Sequence, residues 1–291
     1  MPTDHQPPEV KEEEPAIVPP LTERQIEGAE RRTSVTASVV HEAIRKDGDE
    51  ELRRPVSALA WSGLAAGLSM GFSFVVQSLF QRYVPEEPLR PLATNLGYPV
   101  GFLIVIIGRQ QLYTENTLTA IIPLLARRNL TTFFAVMRLW SVVLAANLVG
   151  ACLFGWVMAH GSILRPEFYP AMKEVALKAA DVRFGDAIVR GIFAGWLIAM
   201  VVWMRAASDS GRLWIIVILT YVVSLAGFTH IVAGSVEVFY LVAIGLKSWP
   251  AYLTGYMIPS LLGNTIGGVA LVSALNHAQV MSGIQAAGHR D

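Results

Sequence analysis

Residues 112–119 read LYTENTLT, from Leu112 to Thr119, and lie between the apolar runs VGFLIVIIG (100–108) and AIIPLLA (120–126). A membrane span needs about 20 apolar residues to cross roughly 30 Å of hydrocarbon. The segment 95–126 is too long for one straight helix and is broken by a glutamate, an asparagine and three threonines. Irregular backbone at membrane depth is tolerated only where protein or a water-lined cavity satisfies its polar groups. The stretch therefore predicts a broken helix facing a pore.

Working outward, five more apolar segments lie near 56–79, 132–159, 184–204, 213–245 and 252–275, and the fifth of the six spans, 213–245, is also interrupted, at AGFTHIVAGSVEV (Ala226 to Val238). Composition agrees: of 291 residues 53% are hydrophobic and 16% charged, against about 25% charged in a soluble domain. Thirteen of the 23 acidic and eight of the 23 basic residues fall within residues 1–54, so the remainder is more apolar still. A net charge of zero gives no basic surface for nucleic acid.

This divides the chain into an acidic tail (1–54), a six-span pore domain (55–276) and a short second tail (277–291). The opening MPTDHQPPEVKEEEPAIVPP is acidic and proline-rich and predicts disorder. The polar stretch after it carries Val39, Val40, Ala43 and Ile44 and reads equally as an amphipathic helix or a solvated linker. Six crossings put both termini on one side. Arg45, Lys46, Arg53, Arg54, Arg127, Arg128, Arg205 and Arg212 mark that side as cytoplasmic by the positive-inside rule, although the loop 160–183 weakens the bias.

The two halves echo each other. ANLVGA (146–151) and GNTIGG (263–268) share a pattern, Thr114 precedes Asn147 by 33 residues, and His230 precedes Asn264 by 34. Duplication of three spans inverts the second copy in the membrane. The expected fold is thus an all-α membrane protein of two inverted three-helix repeats, aquaporin-like, with broken helices 2 and 5, an architecture of transport proteins. Gly63, Gly67 and Gly71 form a small-residue stripe suited to close helix packing. The one cysteine, Cys152, lies in an apolar run and reads as packing.

RQQLYTENT, AANLVGA, GIFAGWLIAMVVWM, GFTHIVAG and MIPSLLGNTIGG occur in this order, and together they resemble the formate/nitrite transporter family over residues 56–276. RQQLYTENT and THIVAGSVEV look most like its YfdC-type branch. The resemblance implies a homopentamer in the lipid bilayer of a bacterial inner membrane, each protomer with its own pore. It implies a small monovalent weak-acid anion, or its neutral acid, as substrate, moved with a proton by way of a central histidine. His230 and Thr114 match the family's facing pair, Asn264 matches a central asparagine and Asn147 is its counterpart in the other half. Tyr98, Phe102 and Val223 align with constriction positions, although each also reads as ordinary core.

Departures from the family pattern are Gln111 and Thr229, where acids are common, and Gly195 in place of an asparagine. Glu115, Asn116, Thr229, Arg109 and Glu237 are branch-specific polar candidates, and Arg138 and Arg190 add further charge beside apolar runs. A structural network or a role in selectivity are both open for these charges, which at membrane depth are expected to be paired or to face water. An ionised Glu115 would repel an anion, so it is expected to be paired or protonated. A competing function is an aquaporin-like pore for small neutral solutes. No metal-ligand spacing, phosphate-binding loop or serine-histidine motif points to an enzyme, a metal or a cofactor.

Overall fold

The computed structural model describes residues 35–85, 88–208 and 210–288. Among the described residues every regular element is helical. Helix α1 (Ala37–Arg53) stops because Pro55 disfavours helical backbone at Arg54, which is extended at ψ 141. Helix α2 (Val56–Tyr83) follows, then α3 (Arg90–Asn95) and α4 (Pro99–Ile107), whose first position is the preset φ of proline.

After Leu112 the chain re-enters helix as α5 (Tyr113–Thr119) and α6 (Ile121–Arg127). Helix α7 (Leu130–His160) is capped by Asn129, whose side chain accepts from the Thr132 N–H at 2.8 Å. Helices α8 (Tyr169–Ala180), α9 (Phe184–Ala207), α10 (Arg212–Leu225) and α11 (Ala233–Ala243) come next. The last, α12 (Trp249–Ser282), contains π-helical stretches at Leu253–Met257 and Gly267–Ala274.

Five of these segments are long and apolar enough to cross a membrane: α2, the stretch Arg90–Ile107, α7, α9 and α12. The segment 213–245 is instead two shorter apolar helices, α10 and α11, with 226–232 between them.

The chain leaves α4 and α10 in the same way. The N–H groups of Gly108, Arg109 and Gln110 donate to Ile104, Ile106 and Val105, and those of Ala226, Gly227 and Phe228 donate to Val222, Ser224 and Val223 at matching distances of 2.9–3.3 Å. Arg109 and Gly227 occupy the same place in this pattern and both have left-handed backbone, at φ 51 and φ 65.

Helix α2 packs along α7 and α9 along α12. Close approach decides the sequence at two places: a Cβ on Gly67 would collide with the Asn147 carbonyl, and one on Gly195 with that of Asn264. Leu59, Met70, Phe74, Phe102 and Leu139 fill the interior, while Trp61, Phe72, Phe134, Trp156 and Trp214 stay exposed. So many large exposed apolar side chains suit a surface that meets lipid or other subunits.

Helix α1 lies against this bundle. Val40 and Ile44 join Leu118, Ile122, Ala199 and Val202 in a small second core. Arg127 pairs with Asp49 at 2.6 Å, Arg138 donates to the Leu52 carbonyl at 2.5 Å, and the His41 and His277 rings share a hydrogen bond of 2.9 Å.

Candidate functional site

Two buried asparagines fix the loops between the short helices. Asn147 Oδ1 accepts from the Tyr113 N–H at 2.9 Å, and its Nδ2 donates to the carbonyls of Gly63 at 2.7 Å and Gln111 at 2.8 Å. Asn264 Oδ1 accepts from the Ile231 N–H at 2.8 Å, and its Nδ2 donates to Gly191 at 2.9 Å and Thr229 at 2.8 Å. An amide side chain is the smallest group that offers one acceptor and two donors at once. Each asparagine thereby satisfies buried backbone of its loop and ties that loop to a neighbouring helix.

These clamps set the neighbouring residues. Thr114 Oγ1 and His230 Nε2 meet at 2.9 Å, and both residues are buried. His230 Nδ1 faces the first turn of α11 and accepts from the N–H groups of Val232 at 3.3 Å and Ala233 at 3.2 Å. An acceptor nitrogen carries no proton, so the imidazole proton sits on Nε2 and is donated to Thr114. The Thr114 hydroxyl hydrogen then points elsewhere, available to a third group. Phe102 packs edge-on against the His230 ring at 5.0 Å, and Tyr98 lies 5.2 Å from Phe102.

Two cavities approach this pair. One of about 260 Å³ reaches His230 and is lined by Tyr98, Thr229, Glu237 and Tyr256, with Lys178 and Arg190 also on its wall. The other, of about 510 Å³, reaches Gln111, Glu115 and Asn116, and its wall carries Arg54, Arg109, Arg205 and Arg212 together with Asp47, Glu50 and Glu51. Thr114 lines neither cavity.

With this geometry in place, comparison with known proteins decides the family. The sequence profile of the formate/nitrite transporter family matches residues 38–278. The chain belongs to the formate/nitrite transporter family. It is 38% identical over 257 residues to inner membrane protein YfdC of Escherichia coli (strain K12), covering 88% of this chain and 83% of that protein. Among solved structures, a pentameric formate channel with formate bound has the same fold at a TM-score of 0.63 and 19% identity, covering 79% of this chain and 96% of that one. An FNT family ion channel matches at a TM-score of 0.68 and 18% identity, covering 82% and 96%.

Within this family member the sequence candidates separate into groups. Thr114, His230, Asn147 and Asn264 form one buried constellation. Tyr98 lines the smaller cavity and Phe102 holds the imidazole edge, whereas Val223 is buried in the core and lines neither cavity. Asn116 and Thr229 are tied up locally: Asn116 donates to Gln111 Oε1 at 2.9 Å and its carbonyl accepts from Trp140 Nε1, while Thr229 donates to the Ala187 carbonyl at 2.7 Å.

The charged candidates form no single network. Glu115 is buried with Arg205 at 3.6 Å, Arg138 caps the end of α1, Arg109 and Arg190 sit exposed at opposite cavities, and Glu237 is buried in the smaller one. Sequence reasoning passed over Arg205 as a partner, Gln111 as a hydrogen-bonding hub and Tyr256, whose hydroxyl donates to the His230 carbonyl at 3.3 Å. Only Gln111 left a signal in the sequence, as a departure from the pattern of the family it resembles.

Proposed function

We propose that the chain forms an inner-membrane pore for small monovalent anions of weak acids, formate and nitrite among them, which cross accompanied by a proton. The observation that carries this reading is the buried Thr114–His230 hydrogen bond at 2.9 Å, with its proton on His230 Nε2 and the threonine hydroxyl hydrogen left to donate. A bare carboxylate moved into so apolar a passage would lose hydration worth many kcal/mol, whereas the neutral acid loses only about 2–7 kcal/mol per unpaired polar group. Thr114 offers that acid one hydrogen bond beside the imidazole of His230.

His230 acts as a hydrogen-bond donor that orients Thr114. Adding a proton at Nδ1 would break both backbone contacts and set a positive charge at the N-terminus of α11, where the helix dipole opposes it. Lys178 and Arg190 on the wall of the smaller cavity draw anions toward the pore, while in the larger one Arg54, Arg109, Arg205 and Arg212 are balanced by Asp47, Glu50, Glu51 and Glu115.

The matched asparagine clamps and matched exits from α4 and α10 support six crossings arranged as two inverted repeats, with 95–126 and 213–245 as the broken ones. On this reading both termini face the cytoplasm together with α1. Similarity to the inner membrane protein YfdC and to a pentameric formate channel supports an inner-membrane homopentamer, in which exposed side chains such as Trp61 and Trp156 meet lipid or adjacent copies. A pore for neutral solutes accounts less well for Lys178 and Arg190 on the wall of the smaller cavity.

Uptake into proteoliposomes tests the proposal. An acid-outside pH gradient should drive accumulation of formate or nitrite but not of urea. Thr114→Val should lower that uptake by about tenfold, the equivalent of one hydrogen bond, and Thr114→Ser should retain it. Urea flux equal to formate flux, unchanged in Thr114→Val, would contradict it.

A further inference from the structure

Two acidic side chains are buried beside the cavities, and they are held differently. Glu115 has Arg205 at 3.6 Å. Glu237, on the second turn of α11 and 5% exposed, has no hydrogen bond or ion pair among the described residues. His230, Gly234 and Glu237 recur at helical spacing and line the same cavity, so the carboxyl group stands on the wall that leads to the imidazole. The titratable groups around it are the hydroxyls of Tyr98 and Tyr256 and the ring of His230, with Lys178 and Arg190 on the same cavity wall.

A buried acid normally has a cation or several donors to hold it. Here no group fixes its charge, and it borders the space that a substrate must cross. Both nitrogens of His230 are already committed, one to Thr114 and one to α11, so the imidazole is a poor source of the proton that a weak-acid anion needs.

We propose that Glu237 is the proton donor of this pore. Its carboxyl O–H gives the proton to an oxygen of the incoming anion, and the neutral acid moves on to Thr114. The O–H bond of Glu237 breaks as that of the acid forms, and the carboxylate left behind takes a proton from hydronium on the side of Lys178 and Arg190. Each turnover consumes one proton from that side and no other reactant. The inference rests on the weak-acid reading above and names the residue that carries out its central step.

The test is gradient-driven uptake of labelled formate into proteoliposomes by the full chain, by Glu237→Gln and by Glu237→Asp. Glutamine should slow uptake on the order of a hundredfold near neutral pH, the scale of a lost general acid. The deficit should shrink as the outside solution is acidified and formic acid itself becomes abundant. Aspartate should keep the wild-type pH profile at a lower rate.

A glutamine variant that follows the wild type at every pH overturns this inference alone. A wild type that takes up no weak acid overturns it together with the function it rests on. Should the glutamine variant fail to assemble, infrared difference spectra of the wild type on adding formate give a second reading. The protonated-carboxyl C=O band should weaken, and its position should shift in Glu237→Asp. A band that formate leaves unchanged contradicts the proposal.

Discussion

Asn147 and Asn264 make the same three hydrogen bonds, each to its own loop and its own neighbouring helix. Matched bond by bond, Tyr113 corresponds to Ile231 and Gln111 to Thr229, which sets Leu112 opposite His230. Thr114 and His230 are therefore not counterparts. Under the proposed duplication, the central site lies where the two halves differ.

Removing either clamp should cost the fold more than an average substitution. Asn147→Ala or Asn264→Ala strands one loop N–H and one loop carbonyl in a buried place and removes a second bond to a helical carbonyl, for about 2–4 kcal/mol allowing for partial relaxation. Both should lower the melting temperature of the detergent-solubilised protein. Aspartate should rescue neither, since it offers no donors to the carbonyls. A melting temperature unchanged in both alanine variants would refute the clamp.

Arg109 and Gly227 share a left-handed backbone, which costs a non-glycine residue about 1–2 kcal/mol. Arg109→Gly should therefore raise stability by about 1 kcal/mol, and Gly227→Ala should lower it by a similar amount. If Arg109 is kept for its charge at the mouth of the larger cavity, the glycine variant should also take up formate more slowly at low salt and less so at high salt. Thermal melts and uptake at two ionic strengths check both halves of this statement.

That polar residues interrupt two long apolar runs was legible in the sequence, but the interruptions were expected at 112–119 and 226–238. Tyr113–Thr119 and Ala233–Ala243 are instead helical and the non-helical stretches are 108–112 and 226–232, because the polar side chains there are satisfied by packed neighbours and leave the helices intact. The facing of Thr114 and His230 was legible through a family resemblance. What stayed hidden depends on packing between distant segments. Arg205 lies 90 residues from Glu115, and nothing in either local sequence announces the pair. Arg138 looked like an intramembrane charge and proved to cap α1 through the Leu52 carbonyl. Among the described residues five segments, not the expected six, are long and apolar enough to cross a membrane, because 213–245 is divided into α10 and α11.

Glu115 and Arg205 should behave as a coupled pair. Arg205→Gln leaves a buried acid without its cation and should destabilise more than Glu115→Gln does. The double variant should recover most of the loss, a non-additivity visible in melting temperatures. Additive effects would mean that the two side chains act independently.

Docking of α1 should weaken on acidification. Burial, then the neighbouring His277, and also Arg45 hold the His41 pKa below its ordinary value, against a smaller opposing effect of Glu42. The docked helix thus prefers a neutral imidazole, while an undocked His41 would titrate near 6.5. The undocked state binds more protons, so the contribution is complete above about pH 6.5 and is lost as pH falls toward the lowered docked value. Amide exchange in Ala37–Arg53 should accelerate below that pH in the wild type and lose this dependence in His41→Gln.

A protonated acid crosses without net charge, whereas a bare anion carries one. Formate uptake, proton uptake and membrane potential should be followed together in one proteoliposome preparation. Passage as the neutral acid requires one proton per formate and a rate that does not respond to an imposed potential. Formate entering without a proton, at a rate that follows the potential, would contradict it.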